Sequence, residues 1–235
     1  MSDRIERRLT AILAADVVGF SARMETDEAG TLDRLRRYRR DLIDPGLEKH
    51  RGRMIKTMGD GVLMEFASVV DAVNFAVEFQ HGIASLSLES DAPEMLYRIG
   101  INLGDVMIEE GDVFGDGVNV AARLEPLAEP GGVLVSAAVV DQVRELDGAR
   151  FEEMGERRLK NIKREVRVYR VVGTLLDLKR LCGAPGPNRR EKPKAAIQQE
   201  PMDITGPCDI ANADRLARLG LRGCRPPKKA LPQPV

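Results

Sequence analysis

The chain has 235 residues, with 36 Lys and Arg against 37 Asp and Glu and a net charge of −1 at pH 7. This near-neutral balance gives no electrostatic reason to expect nucleic acid as a partner. Its apolar runs are far shorter than the ~20 residues that cross a bilayer, and its N-terminus leads into no signal-peptide core, which predicts a cytoplasmic protein without membrane contact.

The composition changes near the end of the chain. Residues 174–235 carry 12 Lys and Arg against 6 Asp and Glu and hold nine of the 13 prolines. Many prolines and few large apolar residues are typical of disorder, so we predict one folded domain over 7–172 and a Pro-rich, disordered tail over 174–235. All three cysteines lie in this tail without CxxC spacing, which indicates neither a zinc site nor a disulfide framework (Cys182, Cys208 and Cys224).

The first elements suggest a strand followed by a helix. Thr10 to Val18 is a short apolar run typical of a buried strand, with Asp16 near its end. From Asp27 to about His50, Asp27 can cap a helix whose apolar residues lie along one side. We expect a single amphipathic surface helix there.

A hairpin and a second helix follow. Residues 53–58 and 62–66 are typical of two short strands joined through Gly59-Asp60-Gly61, and this places Asp60 at a hairpin tip. Ser68 with Asp71 resembles the start of a capped helix, and the apolar residues after it repeat at helical spacing. That apolar stripe predicts a helix packed on the core.

The remaining segments complete an α/β pattern. Tyr97 to Glu109 predicts strands with a break at Gly104-Asp105, and Val118 to Leu127 predicts a helix. The order predicts an α/β (α+β) fold with a ferredoxin-like βαββαβ core and a mixed, mainly antiparallel sheet. Additional short strands are predicted at Val133–Ser136, Arg158–Leu159 and Val166–Val172.

Two carboxylates, Asp16 and Asp60, stand at the ends of predicted strands. If those strands are neighbours, the carboxylates converge into an oxygen site suited to Mg²⁺ or Mn²⁺, with room for phosphate oxygens. A capping or simply exposed role is the alternative for each aspartate. These residues alone leave both interpretations open.

The segment GDVFGDGVNVAARLE, residues 111–125, joins a glycine-rich turn to a helix. It presents Asn119 and Arg123 at i and i+4, on one face, where an amide and a guanidinium could grip a ribose and a phosphate. The alternative is an ordinary surface helix in which Arg123 pairs with Glu125 or Glu129.

Four blocks in this order resemble the class III adenylate/guanylate cyclase family. They are AADVVGFSARM at 14–24, IKTMGDGVLMEF at 55–66, RIGINLGDVMIEEGDVFGDGVNVAARLE at 98–125 and RRLKNIKREVRVYRV at 157–171. The resemblance implies a bacterial type of adenylate cyclase that converts ATP to cyclic AMP and pyrophosphate. No GGDEF-like hairpin or GxxxxGK[ST] segment occurs, which argues against a diguanylate cyclase, a kinase or a P-loop protein.

The resemblance also implies the metal site. Asp16 and Asp60, with the backbone of Val17, match the positions that hold two Mg²⁺ or Mn²⁺ ions per active site. The backbone from Val17 to Phe20 would approach the phosphates. Lys160 would bind the terminal phosphates, with Lys163 as the alternative, because the run from Lys160 to Tyr169 is one residue longer than in better-known members.

Base selection and catalysis are implied in the same way. Lys56 and Asp112 match the pair that reads adenine, the first donating to N1 and the second accepting from the 6-amino group. Asn119 would orient the ribose, and Arg123 would stabilise charge on the α-phosphate. The alternative is that Lys56 is an ordinary lysine on a strand and does not read the base. His50 and His81 fall outside the blocks and are expected to be packing or surface residues.

The implied assembly is a head-to-tail homodimer with two interfacial active sites. Metal ligands come from one protomer, and Lys56, Asp112, Asn119 and Arg123 come from the other. One chain holds both sets, so no second kind of subunit is needed. The alternatives are a catalytically inactive cyclase-homology module that dimerises or senses nucleotide, and a guanylate cyclase.

Overall fold

The computed structural model describes residues 6–88, 94–109, 112–143 and 150–173. The predicted tail lies outside the described residues, so its disorder stays a prediction. Within the described ranges, no helix is both long and apolar enough to span a membrane.

The described residues form one sheet of eight strands. Its strands are β1 (Glu6–Val17), β2 (Gly52–Met58), β3 (Gly61–Phe66), β4 (Tyr97–Glu109), β5 (Asp112–Phe114), β6 (Val133–Ser136), β7 (Arg150–Arg158) and β8 (Glu165–Val172). The helices are α1 (Phe20–Thr26), α2 (Glu28–Tyr38), α3 (Asp44–Lys49), α4 (Val69–Leu88), α5 (Asp116–Leu124) and α6 (Ala137–Val140).

The strand order confirms the predicted fold class. The order is β2-β3-β1-β4-β6-β8-β7, with β5 paired to β4. Only the pairing of β4 with β6 is parallel, and the other strand pairs are antiparallel. The first four strands, with the helices between them, form the βαββαβ unit in the order β2-β3-β1-β4. This is the predicted mixed, mainly antiparallel sheet with additional strands.

The two faces of the sheet are covered by different helices. Because side chains alternate along a strand, Leu13 packs on the large core with Phe75 and Phe79 of α4, whereas Ile12 packs on the opposite face. On that opposite face a small cluster joins β1, β3, β4 and β5 to α5. This small cluster therefore lies beneath the helix that carries Asn119 and Arg123.

The predicted helix from Asp27 to His50 is interrupted. Asp27 does cap α2, since its side chain accepts a 2.9 Å hydrogen bond from the backbone N–H of Gly30. A π-helical turn over Arg39–Ile43 then separates α2 from α3. Pro45 supplies the physical reason, because it has no N–H to offer the preceding turn and the backbone widens there.

Two strand predictions differ from the structure because strands distant in the chain pair with each other. The break predicted at Gly104-Asp105 is wrong: β4 is continuous, because β1 pairs with it without interruption and places Thr10 opposite Gly104. β7 is much longer than the predicted Arg158–Leu159. Its charged side chains pair across to β8, as between Arg170 and Glu152 at 2.7 Å, and do not form an apolar alternation.

Smaller differences lie close to the candidate site. The helix predicted over Val118–Leu127 begins earlier, at Asp116, and ends at Leu124. A 3₁₀ turn over Glu125–Leu127 follows and contains Pro126, which cannot continue the α-helical hydrogen bonds. The short elements α1 and β5 were not predicted. Their lengths, seven and three residues, are too short to show a hydrophobic period.

Candidate active site

The carboxyl groups of Asp16 and Asp60 meet at one end of the sheet. Asp16 is the penultimate residue of β1, and Asp60 lies in the turn between β2 and β3. Strands β1 and β3 are neighbours, with Ala15 opposite Val62, so the two carboxyls come close enough to share a hydrogen bond. The structure thus brings together two of the residues singled out from the sequence.

The hairpin turn explains how Asp60 reaches this position. Met58 pairs with Gly61, which leaves only Gly59 and Asp60 in the loop. Gly59 has φ +68°, the left-handed region that a glycine adopts without strain. A methyl group on Gly61 would lie 3.1 Å from an Asp16 carboxylate oxygen, so this glycine leaves room for Asp16 beside the turn.

The electrostatics of Asp16 are those of a crowded carboxylate. Burial, the negative charge of Asp60 and the hydrogen bond with Asp60 raise the pKa of Asp16 to about 6. The Val17 backbone and the positive charge of Arg98 oppose this shift without cancelling it. A half-buried pair of like charges is stabilised by a cation. The pair therefore has the chemistry of a cation site.

The donors available at this point fit a hard divalent cation. Both side chains offer carboxylate oxygens, and the chain at Val17 adds a backbone carbonyl. Within the described ranges, no group of three or more His, Cys, Asp and Glu is arranged to hold a metal. Magnesium is often held by one or two carboxylates together with substrate phosphates, so two carboxylates are a sufficient protein contribution.

Asn119 and Arg123 lie on α5, and both are exposed. In the described part of the chain, the Arg123 guanidinium forms no hydrogen bond or ion pair. The alternative in which Arg123 pairs with Glu125 or Glu129 is therefore not what the structure has. An exposed amide and guanidinium one helical turn apart can both contact a bound anion.

Two glycines of β4 allow α5 to lie directly on the strand. A methyl group on Gly100 would lie 2.4 Å from the backbone nitrogen of Glu125, and one on Gly104 would lie 2.8 Å from the Cα of Gly117. The side-chain amide of Asn102 donates to the Gly117 carbonyl between them. These contacts set the height and direction of the helix that carries Asn119 and Arg123.

Glu125 was not predicted as part of this site. Burial and repulsion by Asp16 raise the pKa of Glu125 to about 7, with Asp60 adding to the rise and Arg98 opposing it. Arg98 lies opposite Asp16 in the pairing of β1 with β4. The signal available from sequence was only that Glu125 ends the block that contains Asn119 and Arg123. Its approach to Asp16 depends on the fold.

Lys56 of β2 and Phe114 of β5 are in contact. The Lys56 ammonium lies 5.4 Å from the centroid of the Phe114 ring. Their chain neighbours, Ile55 and Val113, pack in the small cluster of the sheet. Asp112, the predicted partner of Lys56, begins β5 two positions before Phe114, and its side chain lies outside the described residues.

The predicted phosphate contacts lie in two separate segments. Val17 is buried, and Phe20 begins α1 and packs partly against the large core. Lys160 and Lys163 are both exposed in the connection between β7 and β8. Arg164 of this connection pairs with Asp116 at 3.2 Å, at the start of α5. The geometry does not distinguish between the two lysines.

Comparison with known proteins identifies similar catalytic domains. A family model described as the adenylate and guanylate cyclase catalytic domain matches residues 6–173. The "Putative adenylate cyclase 3" of Rhizobium meliloti is 41% identical over 203 residues, which are 85% of this chain and 32% of that protein. The pH-sensitive adenylate cyclase MT1302 of Mycobacterium tuberculosis is 34% identical over 174 residues, which are 70% of this chain and 41% of that protein.

A solved structure extends the similarity to three dimensions. The crystal structure of an adenylate/guanylate cyclase/hydrolase from Silicibacter pomeroyi matches with a TM-score of 0.66 and 43% identity. That match covers 71% of this chain and 98% of the other. By contrast, this chain spans only about a third to two fifths of the length of the two curated relatives.

Proposed function

The chain belongs to the adenylate and guanylate cyclase catalytic domain family, and on that basis we propose that it is an adenylate cyclase acting in intracellular signal transduction. It converts ATP to 3′,5′-cyclic AMP and pyrophosphate in the cytoplasm. The observation that carries the proposal is the meeting of the Asp16 and Asp60 carboxyls at the end of β1. The adenylate cyclase names of two curated relatives support the choice of reaction.

The metal centre of the proposed enzyme consists of oxygen donors. Asp16, Asp60 and the backbone carbonyl of Val17 would hold two Mg²⁺ or Mn²⁺ ions per active site, a donor set that suits hard cations. Such ions would supply Lewis-acid chemistry, which favours loss of the ribose 3′-hydroxyl proton and neutralises triphosphate charge. The short β2–β3 turn keeps Asp60 beside Asp16, so the carboxylates are already in place before the nucleotide arrives.

The α5 helix supplies the groups that act on the sugar and the α-phosphate. Asn119 orients the ribose, and Arg123 stabilises the negative charge that grows at the α-phosphate during in-line attack. The exposure of both side chains supports this assignment. Lys160 or Lys163 binds the terminal phosphates, and the backbone from Val17 to Phe20 approaches the same phosphates.

Lys56 and Asp112 select adenine in this proposal. Adenine presents an acceptor at N1 and a donor at its amino group, and guanine reverses this polarity. A Lys/Asp pair that fits adenine leaves guanine mispaired. Each mispaired buried group costs roughly 1 to 3 kcal/mol, and two of them correspond to a preference of about 30- to 3 × 10⁴-fold. The positions of β2 and β5 near Phe114 support a shared base site.

The active enzyme is a head-to-tail homodimer with two interfacial sites. In the family that the chain belongs to, the metal carboxylates and the guanidinium of one active site come from different protomers. A second copy related by a two-fold axis brings its Asn119 and Arg123 to the carboxylates of the first.

Two other functions are compatible with the family. A guanylate cyclase would use the same metal site with a different pair of base-reading residues. An inactive cyclase-homology module would dimerise or sense nucleotide, and such a module would usually lack a metal aspartate or the Asn/Arg pair. All the positions implied by the resemblance are occupied here, which favours the enzyme.

The experiment is a cyclase assay on the full chain with ATP or GTP and either Mg²⁺ or Mn²⁺. We expect cyclic AMP from ATP, strong preference over GTP, and no product from Asp60→Asn. The matched control is Asp141→Asn, which alters an exposed aspartate after α6 and should behave as the wild type. Cyclic GMP as the main product would contradict the assignment of ATP as the substrate. No product from a folded dimer would favour the inactive module.

A further inference from the structure

Phe114 is an apolar side chain that remains 44% exposed beside the predicted base site. Its ring faces the ammonium of Lys56, with 5.4 Å between Nζ and the ring centroid. Strands β3, β1 and β4 separate β2 from β5 in the sheet order, so this contact joins two segments that are not neighbouring strands. It therefore depends on the curvature of the whole sheet.

We propose that Phe114 is a positioning residue for base selection, which holds the Lys56 ammonium where it reads the purine. This inference rests on the proposed function, in which Lys56 donates to adenine N1. Phe114 acts through Lys56 and is not itself a catalytic residue.

The physical argument concerns the freedom of a lysine side chain. Lys56 has four rotatable side-chain bonds, and fixing them is entropically costly. The face of an aromatic ring attracts a cation within about 6 Å of its centroid. The ring offers no lone pair, so the ring itself does not compete with an arriving base for the protons of the ammonium.

Packing next to Lys56 and Phe114 restrains the contact between them. Ile55 and Val113, the chain neighbours of the two residues, are packed in one small cluster with Ile12 and Leu63. This packing restrains the backbone next to Lys56 and next to Phe114.

The test measures kcat and KM for ATP and GTP in Phe114→Leu and Phe114→Tyr. Leucine keeps an apolar side chain and removes the ring face, whereas tyrosine retains the ring. At a partly exposed site we expect Phe114→Leu to lower the ATP-over-GTP ratio of kcat/KM about two- to fivefold, through KM for ATP. Phe114→Tyr should keep the ratio of the wild type. Met154→Ala, at a comparably exposed residue of β7, is the control and should also keep it.

A second substitution shows whether the effect passes through Lys56. In a Lys56→Met background, Phe114→Leu should cause no further change in the ratio. An equal loss of kcat with both nucleotides, or the same effect of Phe114→Leu with and without Lys56, would overturn the proposal.

Nucleotide binding separates this inference from the proposed function. The affinity for fluorescent ATP and GTP analogues is measured for the same variants without turnover. A loss of ATP preference in Phe114→Leu, in a protein that makes no cyclic AMP, would support the positioning role and contradict the cyclase. Cyclic AMP synthesis with an unchanged ATP preference in Phe114→Leu would contradict the positioning role alone.

Discussion

The side-chain amide of Asn102 donates a 3.0 Å hydrogen bond to the backbone carbonyl of Gly117 and so ties the first turn of α5 to β4. Asn102 is only 2% exposed, so this bond is shielded from water. Gly104, two positions later in β4, leaves the space in which Gly117 lies. The placement of Asn119 and Arg123 therefore depends on the attachment of α5 to β4.

Substitution of Gly104 should damage catalysis through this attachment. In Gly104→Ala the new methyl group would lie 2.8 Å from the Cα of Gly117, so α5 must move away from the strand. A displacement of about 1 Å at a reacting group can lower turnover on the order of 10²-fold, and we expect a fall of that order in kcat. The measurement is cyclic AMP formation at saturating ATP.

A second glycine provides the control for that substitution. In Gly82→Ala, on α4, the nearest atom is the Cδ2 of Leu42 at 2.6 Å, the end of a flexible side chain that can turn aside. We expect wild-type kcat and a change in unfolding free energy within about 1 kcal/mol. Equal losses of kcat in the two variants would contradict the role given to Gly104.

Removal of Arg123 should affect rate and leave stability unchanged. The Arg123 side chain is exposed and, within the described part of the chain, makes no ion pair, so Arg123→Ala removes no ion pair from the fold. We expect kcat to fall about 10²- to 10³-fold, as for other groups that stabilise transition-state charge. The unfolding free energy in urea should stay within about 0.5 kcal/mol of wild type. Parallel losses of both quantities would indicate a structural arginine.

When no cation is bound, the like charges of Asp16 and Asp60 should lower the free energy of unfolding. In Asp60→Asn an amide replaces a like charge beside Asp16 and can donate to its carboxylate. With EDTA at pH 8, we expect this variant to be more stable than wild type by about 0.5 to 1.5 kcal/mol, measured by urea unfolding, although it is inactive. An Asp60→Asn variant that is less stable than wild type would show that the two aspartates stabilise the fold.

Glu65, a buried glutamate away from the candidate site, should contribute to the unfolding free energy in a way that is lost at acid pH. Burial raises the pKa of Glu65, but hydrogen bonds from Arg53 and Arg8 outweigh it and hold the pKa below its usual 4.5. The unfolded chain then binds a proton more readily than the folded one. The stabilisation is present above that usual pKa and is lost as the pH falls through the lowered value.

Glu65→Gln tests this contribution. At pH 7 we expect the unfolding free energy to fall by about 1 to 3 kcal/mol, since a charged hydrogen-bonded contact is lost. The difference from wild type should shrink as the pH is lowered below about 4.5. The control Glu156→Gln alters an exposed glutamate 3.5 Å from Arg167 and should cost less than about 1 kcal/mol at any pH. A pH-independent loss in Glu65→Gln would contradict the assignment.

Local signals were sufficient for much of the fold, whereas the meeting of Asp16 and Asp60 was predicted only on the condition that their strands are neighbours. A tight turn at Gly59-Asp60-Gly61 needs a residue with positive φ, and glycine meets that need whatever the rest of the chain does. The structure has this turn, with positive φ at Gly59. The apolar stripe of α4 and the short apolar run of β1 are equally local. Together these elements define the βαββαβ order and therefore the neighbours of β1.

Features that depend on distant partners could not be predicted in this way. β7 is a strand because its charges pair with β8, and β4 is unbroken at Gly104 because β1 runs beside it. The approach of Glu125 to Asp16 and the contact of Lys56 with Phe114 likewise join residues about 60 to 110 positions apart in the chain. Periodicity and turn chemistry carry no information about such pairs.

The most direct test of a shared interfacial active site uses two inactive variants together. Asp60→Asn lacks a metal carboxylate, and Arg123→Ala lacks the α5 guanidinium. If each site takes its carboxylates from one protomer and its guanidinium from the other, a purified heterodimer of the two variants contains one complete site. The account predicts about half of the wild-type cyclic AMP formation from ATP by this heterodimer, while each variant homodimer forms at most about one hundredth of the wild-type amount. A heterodimer as inactive as its parents would contradict it.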